Sequence, residues 1–466
     1  MLYAMRRIET LMAVLLLLAV EGCTTQGEVT IYPDYRDVTV PCNIAPLNFH
    51  YSGCGRALTT FECDGISLRV RGRNVRIDEE KWKELLACAA GGDIRVRSSL
   101  LGEWSIHDSV DTIDRYLTYR LIEPGYEVWD RVEIMERNLS NFDERAISSW
   151  KSTGNSCMNC HVHKGNNSLF YLRGDKGGAI LNRNGELRKL SLKNDDMISS
   201  TVYGELNPNG RWGVFSTNII IPGFHTQPLR RLEVFDTASD LTIADFDSNR
   251  MLNPPVLAQA EKFETFPCFS ADGRTIFYCS ADTIAVPAAI EKLQYTLMKV
   301  TFDPESGEVG TPEKIWDGPA HGKSVCHPKA SPDGKWIMFT IADYGTFPIW
   351  HRECDLVLME LESGQCKEMA TVNSDRSDTY HSWSSNSRWF VFASKRGDGQ
   401  YGKPYICHID EDGLCSKPFL MPQEDPHHYV NFLKSYNIPD LGPSPVPFDS
   451  GRIADIRENA ATEQFK

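Results

Sequence analysis

Polar turns and alternating apolar strands follow one another at a regular spacing over the last two thirds of the chain. Four segments share one pattern: "LNPNGRWGVFS" from Leu206, "FSADGRTIFYCS" from Phe269, "ASPDGKWIMFT" from Ala330 and "WSSNSRWFVFAS" from Trp383. Each opens on a polar turn, in most cases Asn/Asp-Gly, which supplies the positive φ of a tight reversal. A basic residue and an aromatic-rich strand follow. A second strand comes later in each unit: "RLEVFD" at Arg231, "QYTLMKVTFD" at Gln294, "DLVLMELE" at Asp355 and "KPYICHID" at Lys403. The repeats start about 53 to 63 residues apart, which suits one four-stranded propeller blade with loop insertions. An earlier unit fits Ser168 to Leu192 and a degenerate first one Tyr116 to Asn138. The pattern predicts an all-β fold, a β-propeller of about six four-stranded blades.

The flanks differ. Residues 23–110 predict a small α+β cap: short strands, a hairpin, and a helix capped by Asp78 with Trp82, Leu85, Leu86 and Ala89 on one face and Gly91 beyond it. The propeller is expected over 111–436. The Pro-rich segment 437–466 is expected to wrap the surface as a tail or to be mobile.

Residues 1–22 read as an export signal, with Arg6 and Arg7 before the apolar run Leu11–Val20. That run is short for a membrane span. Cys23 then stands where a lipoprotein would be cleaved and acylated, although Glu21 departs from the usual small or apolar residue. An ordinary secreted protein with a chance cysteine is the alternative. The first reading places a lipid-anchored body in the cell envelope, on the periplasmic side or at the outer membrane.

The net charge of −14 over 466 residues excludes nucleic acid as a natural partner, since phosphate binding needs a basic surface. Fourteen cysteines suit an oxidising compartment. Setting aside Cys23, Cys157 and Cys160 leaves an odd number, scattered through strand-like runs where cysteine serves as a small apolar residue. No disulfide is assigned.

The strongest chemical signal is "SCMNCH", Ser156 to His161. Two thiols separated by two residues can add across the vinyl groups of one haem, and the next residue then lies beneath the iron. Cys157 and Cys160 would form the thioether links and His161 the proximal ligand of one covalent haem c. A redox dithiol, half a zinc site completed by His163, a disulfide and a relic motif stay open. His163 and Met158 lie too near His161 in sequence to reach the opposite haem face. Trp212, Trp336, Trp383 and Trp389 read as blade-packing aromatics. Metalloprotease, Walker and nucleophile-elbow sequences do not occur.

"YPDYRDVTVPCNIAPLNF", "YRLIEPGYEVW", "CMNCH", "LRGDKGGA", "HSWSSNSRWFVFASKR" and "GKPY" together resemble TolB-like, WD-repeat-like propeller lipoproteins of Bacteroidetes-type envelopes, over nearly the whole chain. Members of that group are often labelled haem-bearing on the same motif, and their biochemical role is poorly defined. Propeller topology places His327, His381, His225 and His351 on the side of the haem motif. His225, in a Gly/Pro-flanked loop, and His381 are the favoured sixth ligands, since both lie in segments that match the group. The expected function is electron transfer or haem-based ligand sensing, with an unknown redox or envelope protein as partner. The alternative is a haem-free propeller that binds protein, peptide or glycan. Enzyme activity is not the main expectation; an open iron position would permit peroxidase-like chemistry, but one attachment motif does not provide a multi-electron catalyst.

Overall fold

A computed structural model describes residues 28–53, 55–123, 131–154, 158, 161–174, 176–227, 230–367 and 369–466, without the side chains of 225–227, 230 and 231. The signal segment, Cys23, Cys157, Cys160 and the His225 side chain lie outside the described residues. Among those described, no helix is long and apolar enough to cross a membrane.

Six antiparallel sheets form the six blades of a propeller. The first strands of blades two to six are His161–Lys164, Thr201–Leu206, Lys262–Phe269, Ser324–Ala330 and Asp378–Trp383. Blade one is Tyr116–Ile122, Glu133–Asn138 and Glu144–Ser148, completed by Ser435–Gly442 from the far end of the chain. These six inner strands touch in a closed cycle around one axis. The boundary expected at 437 therefore falls inside a strand of the ring. Beyond it a helix, Ser450–Asn459, packs on blade one, and Glu463–Gln464 adds in parallel to the outer edge of blade two.

The repeated turns have one geometry. Asn209, Asp272, Asp333 and Asn386 each accept a hydrogen bond from the main-chain N–H two residues on, at 2.9–3.1 Å. The next residue takes positive φ: Gly210, Gly273 and Gly334, then Ser387 at +60°. Ser387 has a use for its side chain, since its hydroxyl accepts the Asp333 N–H of the neighbouring blade at 2.9 Å.

The four tryptophans are buried as expected. Trp212 lies under Gly307 of the next blade and Trp336 under Gly413. A Cβ would come within 2.8 Å of the first ring and 2.7 Å of the second. Both glycines also hold φ near +80°. The acidic Gly-containing turns thus form the seats into which the preceding blade inserts its tryptophan.

The cap joins a three-stranded and a five-stranded sheet to the helix Glu79–Ala89. Asp78 accepts the Lys81 N–H at 3.0 Å, and Trp82, Leu85 and Leu86 are buried. One hydrophobic core runs from these residues into Leu117 and Tyr119 of blade one and Trp389, Val391 and Ile406 of blade six. The cap is fastened across the seam where the ring closes. All the described cysteines are free thiols.

Candidate functional site

Five inner strands carry a β-bulge at the same level: after Thr201, Thr265, Cys326, Thr379 and Asn437. A bulge inserts an unpaired residue and re-aims a side chain. At four of these places the inserted residue is not glycine yet sits in the left-handed region: Phe266, His327, Tyr380 and Ile438, with φ between 48 and 51°. For a β-branched residue such as Ile438 this is a strained conformation, and such strain gathers at functional sites. Proline follows three of them, as Pro267, Pro328 and Pro439, where a bulge tolerates its missing donor.

These residues, with Tyr203 and His161 from the remaining inner strands, surround a cavity of about 90 Å³ to which all six blades contribute. Tyr203, Phe266, His327 and Tyr380 form a continuous arc of rings, with successive centroids 4.6, 4.3 and 4.5 Å apart. His381 closes the wall.

Three of the imidazoles expected from the sequence therefore meet here: His161, His327 and His381. His161 is buried, stacks on Phe170, and has no hydrogen-bond partner on either ring nitrogen. Burial pushes it down to about 3, with His163 and nearby cations adding to the effect, so the ring is neutral at pH 7. His381 is pushed down to about 3 by burial as well. Its Nε2 lies 2.9 Å from the Met338 carbonyl, which can only accept, so Nε2 carries the proton. That leaves the Nδ1 lone pair buried without a partner. A backbone carbonyl fixing the tautomer is the usual support of a metal-ligating histidine. His327 Nδ1 lies 3.3 Å from the Thr379 hydroxyl, and burial lowers its affinity for a proton too.

Below the rings is a charged layer. Glu205 accepts hydrogen bonds from Lys164 at 2.8 Å and from Lys329 at 2.9 Å. Burial pushes Glu205 up, but the two ammonium groups outweigh it and hold the carboxyl at about 2. Asp440 accepts the His163 main-chain N–H at 2.8 Å. Sequence reasoning missed this layer and the bulge residues Phe266, Tyr380 and Ile438, though not His327.

One expected residue falls elsewhere, and the backbone of another is not the loop expected. The segment around His225 is no inward loop but part of a 16-residue strand, Trp212–Gln227, paired with Arg230–Asp245 in an arm that outruns the rest of the blade. Gly223 is there because a Cβ would fall 2.4 Å from the Phe235 ring. His351 does not line the cavity. It sits between Glu233 of the arm, at 3.2 Å, and Glu353, at 3.0 Å. Burial lowers its affinity for a proton, but the hydrogen bonds to both carboxylates prevail and raise it to about 9. The charged imidazole pins the arm to the loop of blade five, where Leu232 packs on Ile349 and Trp350.

A second cavity, also about 90 Å³, lies under this arm and shares Val202, Tyr203, Tyr380 and Ile438 with the first. Met158, between the two haem-motif cysteines, is buried with Phe170, Ile134 and Ile453. Its side chain belongs to that apolar cluster and not to the channel.

The donor types fit iron: buried imidazole nitrogens, of which both in His161 and Nδ1 of His381 have no partner. Space fits less well, since a tetrapyrrole exceeds either cavity as folded. Nor do the three imidazoles converge on one bare ion. Among the described residues only Cys63, Asp64 and Cys88 bring three metal-type donor atoms within 4.8 Å of one another.

Fold and channel define a six-bladed propeller with an imidazole-lined axial cavity. No protein-family model matches the chain, and no curated protein does. Among solved structures, TolB from Acinetobacter baumannii is similar with a TM-score of 0.45 at 10% identity, over 85% of this chain and 80% of that one. The periplasmic gluconolactonase PpgL of Pseudomonas aeruginosa gives 0.35 at 13%, over 66% and 97%. Hydrazine synthase of Kuenenia stuttgartiensis gives 0.34 at 11%, over 60% and 71%. Likenesses of this size carry no argument about activity, and the propeller rests on the sheets themselves.

Proposed function

We propose that the chain is an envelope protein whose propeller channel would hold one c-type haem, attached at Cys157 and Cys160, with His161 and His381 as the residues that would bind its iron. The observation that carries this reading is the pair of buried, neutral imidazoles around one cavity, His161 with two unpartnered ring nitrogens and His381 with one. The chemistry such a group supplies is one-electron exchange or the binding of a small ligand. The chain's own residues would orient it: Met338 holds the His381 tautomer, and the Tyr203–Tyr380 arc gives an aromatic wall of tilted and edge-on rings. Seating a macrocycle requires the shared partition of Val202, Tyr203, Tyr380 and Ile438 to move aside. Export through residues 1–22 and a lipid at Cys23 would tether the body to a membrane, where a redox or envelope protein would meet it.

The cavity volume favours a second reading, a haem-free propeller that binds a partner on its face. Absorption spectra separate the two. Protein made in a strain able to mature cytochrome c should show haem bands that sharpen on reduction and stay with the chain through denaturation. A colourless chain from such a strain, or colour lost on denaturation, overturns the haem reading and leaves the scaffold.

A further inference from the structure

Away from the channel, three elements of the cap bring soft and hard metal donors to one place. Cys63 ends the strand Ala57–Cys63 and pairs in register with Ile66, the first residue of the next strand. Only Asp64 and Gly65 lie between, at φ of +37° and +88°, the positive pair of a tight hairpin turn. So short a turn keeps the Asp64 carboxylate close to the Cys63 sulfur. Cys88 comes from the last turn of the helix Glu79–Ala89, three residues after the buried Leu85. It therefore continues the inward face of that helix toward the end of the strand. Cys63 is part of the hydrophobic core, Cys88 is half-buried at its edge, and Asp64 is exposed.

We propose that Cys63, Asp64 and Cys88 form a binding site for one divalent cation of the zinc class. Their donor atoms lie within 4.8 Å of one another. Around a tetrahedral zinc such donors stand about 3.6–3.8 Å apart, a contraction that rotation of the solvent-reaching Asp64 and Cys88 side chains supplies. Two sulfurs select zinc over magnesium or calcium, which take oxygen. Three protein ligands leave the fourth position, on the solvent side, to water. Burial first, and then the hydrogen bond with Cys88, push the Cys63 thiol up to about 12. The cation must therefore draw a proton from each thiol, both protons pass to solvent, and affinity rises with pH. The bound cation would cross-link the helix to the hairpin, within the same core that lies over the seam of the ring. The site is independent of the haem reading.

The test uses the full chain with Cys157→Ser and Cys160→Ser, so that this pair cannot compete, kept reduced and titrated with Co²⁺ as a coloured substitute for zinc. One equivalent should bind, with a thiolate-to-cobalt charge-transfer band and the strong visible bands of a tetrahedral ion, and Zn²⁺ should abolish both. Cys88→Ser should lose the charge-transfer band or weaken binding by at least about tenfold, since even residues that only orient a ligand are worth that much. Asp64→Asn should keep the band and weaken binding to a similar degree. Asparagine suits the left-handed backbone of that turn, so this variant separates ligation from folding. Cys366→Ser, which removes an exposed thiol on blade five, should change nothing. Absence of a charge-transfer band, or a band indifferent to Cys88→Ser, overturns the site. So does a disulfide between Cys63 and Cys88 in chain alkylated as the cells are broken, which would make the pair a cystine.

Discussion

His381 shows how a single contact can prepare a side chain for metal. Its Nε2–H is committed to the Met338 carbonyl, and the remaining lone pair has no partner in a buried place. Leaving a buried polar atom unsatisfied is unfavourable by about 1–3 kcal/mol, a cost that a water or a ligand at Nδ1 would relieve. Under the haem proposal, His381→Ala in protein carrying thioether-linked haem should change the absorption spectrum without releasing the haem; an unchanged spectrum would remove His381 from the iron. A second residue-scale prediction concerns the tryptophan seats. Gly413→Ala places a methyl against the Trp336 ring at positive φ, and should lower stability by more than about 1 kcal/mol in urea unfolding. At Gly364, also at positive φ but with open space around a Cβ, alanine should do less harm.

At the scale of elements, the sequence announced some features and concealed others, for physical reasons. The Asn/Asp turns and tryptophan strands stood out because their chemistry is local: a side chain bonds its own backbone two residues on. The inner-strand bulges were hidden because their mark is an X-Pro step, which reads as a strand breaker. "FPC", "HPK" and "IPD" are in truth the same ring position in three blades. The same effect made Ser435–Gly442 look like a Pro-rich tail. The arm was concealed by Pro222 and Gly223, which suggest a loop, although both are paired in register with Val234 and Glu233. The arm also carries a pH dependence. His351 is raised above its ordinary 6.5, so the stability from its carboxylate pairs is full below that value and is lost as pH rises through about 9. Amide exchange over 230–245 and 347–354 should therefore quicken between pH 7 and 10 beyond the intrinsic base catalysis. His351→Gln should show the faster exchange already at pH 7. Equal protection in both proteins would mean that His351 does not hold the arm.

For the whole molecule, the ring closes by pairing the two ends of the propeller sequence, with the cap's core laid over the seam. Such non-local closure makes the last inner strand indispensable. A chain ending at residue 434 loses it, and should lose cooperative unfolding or fail to stay soluble. A chain ending at 442 keeps the ring but loses the helix, the edge strand and the buried Val446 and Phe448, and should still unfold in one transition at lower denaturant. Equal behaviour of the two truncations would contradict closure by Ser435–Gly442. Blade number and the helix of the cap were legible from the sequence, because repeats and short local patterns survive in one dimension. The meeting of His161, His327 and His381 followed from topology alone, whereas the charged layer of Glu205, Lys164 and Lys329 had no spacing to betray it.

Covalent haem attachment would need both the Cys157 and the Cys160 thiol. The most direct measurement is the mass of the proteolytic peptide containing Cys157 and Cys160, taken from chain matured in a cytochrome c-competent strain. A peptide heavier by one haem, with neither thiol open to alkylation, is the predicted result. A peptide with both thiols free, or joined only to each other, would contradict the account.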